Sequence, residues 1–167
     1  SGDADHMDAP ALSRGKHHVD DGVADRPAVS HGRIQVDVKS GTGVDLDDGD
    51  YLVGAALTDG KHDVMLFADS GKAVRFDEND VRSMGRNARG VRGMMLEKDQ
   101  RIIAMLVAEN EEQQVLTATE NGFGKRTPII EYTRHGRGTK GMIAIQQSAR
   151  NGKVVAATLV KKEDEIM

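Results

Sequence analysis

Two short stretches, DSGKAVRF at 69–76 and ENGFGKRT at 120–127, repeat one pattern at a spacing of 51 residues. Each sets a glycine behind an acidic and a polar residue and follows it with two bases, Lys72 and Arg75 in the first, Lys125 and Arg126 in the second. Glycine there supplies the positive φ that a tight hairpin connection requires. The run KAVRF then alternates as a strand does, with Lys72, Val74 and Phe76 on one side and Ala73 and Arg75 on the other. The two bases therefore do not share a face. Lys72, at the strand end, can still reach a rim through its long stem.

Working outward, the chain from about Gly41 is a series of short aliphatic runs bounded by Gly, Asn and Asp: YLVGAAL (51–57), DVMLFA (63–68), KAVRF (72–76), VRGMML (91–96), RIIAMLV (101–107), QVLTAT (114–119), GKRTPI (124–129), KGMIAI (140–145) and KVVAATLV (153–160). These are strand lengths between turn signals, and no helical stretch separates them. They also recur. Val64-Met65, Val115-Leu116 and Ile166-Met167 stand 51 residues apart; RGVRGM at 89–94 returns as RGTKGM at 137–142; RIIAMLV returns as KVVAATLV. One unit then holds about four strands, and a small sheet with an apolar face is buried only by stacking on its neighbours, as in a propeller. A β-sandwich with accidental similarity is the competing arrangement. The chain reaches Ile166-Met167 just as a strand position begins, so an open blade edge and self-association through it are expected. Residues 1–40 mix Asp, Gly, His, Ser and Pro, with RIQVDV at 33–38 as the strand candidate, and read as a tail or poorly assigned region before a domain at 41–167.

The absence of cysteine excludes disulfides and thiolate metal sites, and no apolar run approaches membrane-spanning length. SGDADHMDAP has neither the basic leader nor the apolar stretch of a signal peptide, so a cytoplasmic protein without membrane contact is expected. No G-x-x-x-x-G-K-S/T run is present. His17, His18, His31, His62 and His135 lack zinc-like spacing, and the acids at 45–50 lack a calcium-loop frame, so neither cofactor nor metal is expected. Nothing places Ser, His and Asp as a catalytic triad.

The formal net charge of −4 conceals a division: residues 1–59 carry a net −7, and residues 60–160 a net +4. The basic excess concentrates in two loops. VRSMGRNARGVRG (81–93) carries Arg82, Arg86, Arg89 and Arg92, and TRHGRGTKG (133–141) carries Arg134, Arg137 and Lys140, with no acid in either. Glycines between the bases remove bulk and leave backbone N–H groups open to an anion, a pattern suited to a phosphate chain passing without base reading. These seven residues are the expected phosphate contacts, with Lys72, Arg75, Lys125 and Arg126 as secondary candidates. A propeller fragment whose basic loops meet an acidic protein is the alternative.

DGKHDVMLFADSGKAVRF (59–76), VRSMGRNARGVRGMML (81–96), LTATENGFGKRTPIIEY (116–132) and RGTKGMIAI (137–145) resemble the C-terminal domain of the A subunit of bacterial DNA gyrase, with topoisomerase IV as a more distant relative. The resemblance implies an all-β fold, a propeller-like β-pinwheel of four-stranded antiparallel blades, present here in part as about two complete blades plus incomplete ones. It also implies strand exchange between blades and wrapping of double-stranded DNA around a basic perimeter, largely independent of sequence. The implied partners are the remainder of the gyrase A protein and the gyrase B protein, whose ATP hydrolysis drives negative supercoiling by the holoenzyme. The basic, glycine-rich heptapeptide typical of the family's first blade is missing, and the breakage-reunion tyrosine belongs to another domain. The segment alone is therefore expected to be noncatalytic.

Overall fold

The computed structural model describes residues 51–83 and 90–164 in full, and strands at 16–17, 26–30, 33–37 and 44–45 by their backbone. In chain order the strands are β1 (Lys16–His17), β2 (Arg26–Ser30), β3 (Arg33–Asp37), β4 (Val44–Asp45), β5 (Gly54–Ala55), β6 (Asp63–Ala68), β7 (Lys72–Asp77), β8 (Val91–Arg92), β9 (Ile102–Ala108), β10 (Gln114–Thr119), β11 (Gly124–Pro128), β12 (Met142–Ile143) and β13 (Val154–Val160). Single 3-10 turns follow β7 at Glu78–Asp80 and β11 at Ile129–Glu131.

Three antiparallel sheets carry the repeat. Their orders are β5-β2-β3-β8, β12-β7-β6-β9 and β11-β10-β13, beside a small β1-β4 pair. The strand order reveals an exchange: β8 leaves its own repeat to pair with β3, and β12 does the same with β7. The architecture is thus an all-β, propeller-like β-pinwheel in part, with two four-stranded sheets and a three-stranded one among the described residues. The unit of about four strands read from the repeat is complete around the Gly71 turn, whereas around the Gly122 turn three strands are present, because among the described residues no exchanged strand joins β11. The expected strand start at Ile166-Met167 lies outside the described residues.

Much of 1–32 reads as loop or tail, yet β2 lies inside the first sheet. Pro27 conceals it in the sequence, since a proline cannot donate to a ladder. The position is permitted because β5 pairs at Ala28 and Val29, beyond the proline.

The continuous apolar run of β6 follows from its place. All six of its residues are buried, because the central sheet is covered on both faces. Val64, Leu66 and Ala68 pack with Val74, Phe76, Val81, Met94 and Ile102 on one side. Met65 and Phe67 pack with Ala73, Val115, Ile129, Tyr132 and Ala144 on the other. Phe67 meets Tyr132 edge to face at 5.9 Å, tying the central sheet to the third. The second and third sheets meet along β9 and β13.

The two hairpin turns match in detail. Gly71 and Gly122 both have φ of 80°, and each donates its N–H three residues back, to Ala68 and Thr119 respectively, at 3.0 Å. Exchange adds a second demand at Gly71, whose oxygen accepts from Ala144 N–H and Ile145 N–H at 2.9 and 3.2 Å.

Candidate nucleic-acid interface

The strand exchange assembles the basic residues. Gly141 leads into β12, and a Cβ there would stand 2.4 Å from the oxygen of Ala73, so a glycine is what lets β12 seat against β7. The pairing sets Met142 opposite Ala73 and Ile143 opposite Lys72, and Lys140, just before β12, meets Lys72 through the acid Glu97. The loop carrying Arg137 lies against Asp80 and the segment 92–95: Arg137 Nε donates to Asp80 O at 2.9 Å and its Nη1 to Arg92 O at 3.2 Å. Gly138 N–H donates to Gly93 O, and Met95 N–H to Thr139 O. Bases from the second and third repeats thereby share one outer edge.

Along that edge Arg82 and Arg92 are exposed, with no side-chain partner among the described residues. Lys140 and Lys72 both approach one acid: Glu97 Oε1 lies 3.5 Å from Lys72 Nζ and 4.0 Å from Lys140 Nζ. A carboxylate oxygen therefore sits where two ammonium groups from different repeats converge. Arg86 and Arg89 lie outside the described residues.

Arg75 belongs elsewhere, which corrects its inclusion among the phosphate candidates. It is 7% exposed. Its Nε donates to Asp63 Oδ2 at 2.6 Å, Nη1 to the carbonyls of Ile129 and Tyr132 at 3.1 Å each, and Nη2 to Glu111 Oε1 at 2.9 Å. It clamps the third repeat onto the central sheet. Arg134 is half exposed and also turns to this cluster, bonding Asp63 through Nη2 and Nε and reaching Asp77 Oδ2 through Nη1 at 3.3 Å. The hydrogen bond to Asp63 raises the Arg134 pKa above its ordinary value, and the coulombic pull of Asp63 and Asp77 adds to it. Two hydrogen bonds from Asn79, backbone first and side chain second, hold the Asp77 carboxyl below the usual carboxylate range.

Lys125 is exposed, and its Nζ stands 3.5 Å from Ala144 O. Arg126 is exposed on the opposite face of β11, with no partner among the described residues. Sequence reasoning missed Lys98, which lines a groove with Arg92 and Glu97; its flanking Glu97 and Asp99 make the segment read as a neutral turn. It also missed Arg150, stacked 4.9 Å over the Phe123 ring. Asp59, His62 and Glu78 bring one ligand atom each within 4.8 Å of one another and are the described residues that could hold a cation. His62 Nδ1 already lies 2.9 Å from Asp59 Oδ1, an ion-pair distance for a protonated imidazole.

With this geometry in place, comparison with known proteins is decisive. The family description "DNA gyrase C-terminal domain, beta-propeller" matches residues 38–59, 62–109 and 113–161. The chain belongs to the DNA gyrase C-terminal domain family. The DNA gyrase A protein of Pseudomonas aeruginosa is 54% identical over 122 residues, covering 73% of this chain and 13% of that protein. The DNA gyrase A protein of Escherichia coli (strain K12) is 47% identical over 124 residues, covering 74% and 14%. This gyrase-family chain therefore spans about a seventh of the relatives it matches. Among solved structures, the C-terminal domain of DNA topoisomerase IV superposes with a TM-score of 0.76 at 23% identity, over 82% of this chain and 46% of that one. The DNA gyrase A C-terminal domain gives 0.74 at 22%, over 93% and 53%. At those identities the structures attest the fold.

Proposed function

We propose that this segment is a noncatalytic DNA-wrapping module of a gyrase A protein, binding duplex phosphates along the edge built by strand exchange. The observation that carries this reading is the meeting of Arg92, Arg137, Lys140 and Lys72, drawn from different repeats, where the exchanged strand β12 pairs with β7. Bases fixed on a rigid curved edge gain affinity by releasing counterions from the phosphates they neutralise. They contact phosphate and not base edges, so binding is largely independent of sequence. Bending a site of ~20–30 base pairs costs on the order of 1–6 kcal/mol, which a continuous path of such contacts offsets. In a holoenzyme with the rest of the gyrase A protein and with gyrase B, such wrapping would bias strand passage toward negative supercoiling, with the chemistry residing outside this segment. The relatives are bacterial, and no helix among the described residues is long and apolar enough to cross a membrane, in keeping with action in the cytoplasm at the nucleoid. The β11 edge, without a paired outer strand among the described residues, is a route to self-association.

Replacing Arg82, Arg92 and Lys140 together by Gln tests the reading. The expected result is weaker binding to two unrelated duplexes by similar factors, and a log K versus log[salt] slope smaller by as much as ~2.7, at about 0.9 per lost contact. An unchanged slope in a folded variant would reject this edge. Retained binding to an acidic protein with no duplex binding would favour the protein-interaction reading.

A further inference from the structure

Arg126 occupies in the third sheet the place that Arg75 occupies in the central one. Both lie 51 residues apart on the second strand of a hairpin, two positions before the residue that pairs with the first residue of β6 or β10. Their surroundings differ. Arg75 is buried, and three of its partners, Ile129 O, Tyr132 O and Glu111, come from the following repeat, while Asp63 comes from its own sheet. Arg126 is exposed, with no partner among the described residues. The counterpart of Asp63 is Gln114, and its side-chain Oε1 is buried without a hydrogen-bond partner. On the same face Leu116 and Ala118 stand at the positions of Met65 and Phe67, half-buried where the central pair is fully covered.

A buried amide oxygen left without a donor is costly, and native structures leave few such groups. Here the orphan oxygen, the free guanidinium and the partly covered apolar positions lie on one sheet face, the face that in the preceding sheet receives the next repeat. We propose that Arg126 is a docking residue and not a phosphate contact: it receives a further repeat unit of a gyrase A protein, donating to two carbonyls of that unit's 3-10 turn and to an acid ahead of its first strand. Gln114 Oε1 accepts from the arriving unit where Asp63 accepts from Arg134. With Gln in the place of Asp, the acceptor is kept but the counter-charge for the guanidinium has to come from the acid of the arriving unit. The inference rests on the repeat geometry and stands apart from the DNA-binding edge.

The charge-conserving variant separates the two roles. Arg126→Ala and Arg126→Lys are made in this 167-residue chain and in a full-length gyrase A protein containing it. Each is followed by thermal melting and by the salt dependence of duplex binding. In the full-length protein, both variants are expected to lower the melting temperature of the domain by several degrees, since a lysine cannot reproduce the planar fork that holds two carbonyls and a carboxylate. In the shorter chain neither variant should shift melting, and the binding slope should be unchanged throughout. Unaltered melting in the full-length protein would overturn the proposal. So would a slope smaller by about 0.9 in Arg126→Ala and restored in Arg126→Lys, the signature of a phosphate contact.

Discussion

A Cβ placed on Gly71 would lie 2.2 Å from the backbone oxygen of Ile145, a separation that real structures do not contain. The equivalent Gly122 has nothing within 4 Å of its own notional Cβ, although the two turns share the same φ. The positive φ alone costs an L-residue about 1–2 kcal/mol. Gly122→Ala should therefore destabilise by that amount, while Gly71→Ala should reach about 2–5 kcal/mol as the clash adds to it. Urea unfolding of the two variants checks this. Equal losses would mean that the exchanged segment at 142–145 does not press on the turn.

Arg75 and Asp63 are buried together, so removing one leaves the other charged and short of a partner. Arg75→Ala should cost about 3–5 kcal/mol. The lower end is expected because Arg134 continues to bond Asp63. The same change should leave the salt slope of DNA binding where it was, since Arg75 directs its guanidinium to four partners inside the protein. A reduced slope in a folded Arg75→Ala variant would return the residue to the phosphate-contacting set.

These two residues also show where the sequence was legible and where it was not. The glycine turns and aliphatic runs announce themselves, because positive φ and period-two packing are local demands that one stretch of chain must meet by itself. Alternation correctly set Arg75 opposite Val74 and Phe76. It could not show that Arg75 is inside, because the central sheet is covered on both faces and alternation then separates two interiors and not an interior from solvent. The exchanged strands Val91–Arg92 and Met142–Ile143 are two residues long, too short for any period, and their pairing partners lie more than fifty residues earlier in the chain. The convergence of Lys72 and Lys140 on Glu97 depends on that pairing, so the rim was visible as two charged loops and invisible as one edge.

Asp77 gives a prediction in acid. It caps the Glu78–Asp80 turn by accepting from Asn79 N–H at 2.8 Å, and it also faces Arg134. A carboxyl whose folded pKa is lowered binds its proton less readily when folded, so its stabilisation is complete above the unfolded value of about 3.9 and is lost as pH falls through the lower folded value. Asp77→Ala should cost about 1 kcal/mol near neutral pH, as the loss of a capping side chain does. The gap between variant and parent should then narrow below about pH 4. Melting temperatures from neutral pH down to about pH 3 would display it, and a gap that does not close would assign the effect to packing.

Glu97 is the acid that Lys72 and Lys140 share, and on the proposed DNA path its carboxylate would compete with phosphate for both. It is more than half exposed, so the ion pairs themselves contribute little to stability, and Glu97→Gln should leave melting within about 0.5 kcal/mol of the parent. DNA binding should respond more strongly. With the carboxylate neutralised, the phosphate path loses a repulsive charge and both lysines are freed to replace counterions, so affinity at low salt should rise. The salt slope should steepen by as much as ~1.8, at about 0.9 for each lysine newly engaged. Combining Glu97→Gln with Lys72→Gln and Lys140→Gln should abolish that steepening, since the gain acts through those two side chains. Titrations of the single and triple variants against one duplex at several salt concentrations decide the matter. A Glu97→Gln protein that binds no more tightly and with the same slope would place the DNA path away from the Lys72–Lys140 corner. A gain that survives loss of both lysines would make Glu97 a source of long-range repulsion and not a local competitor.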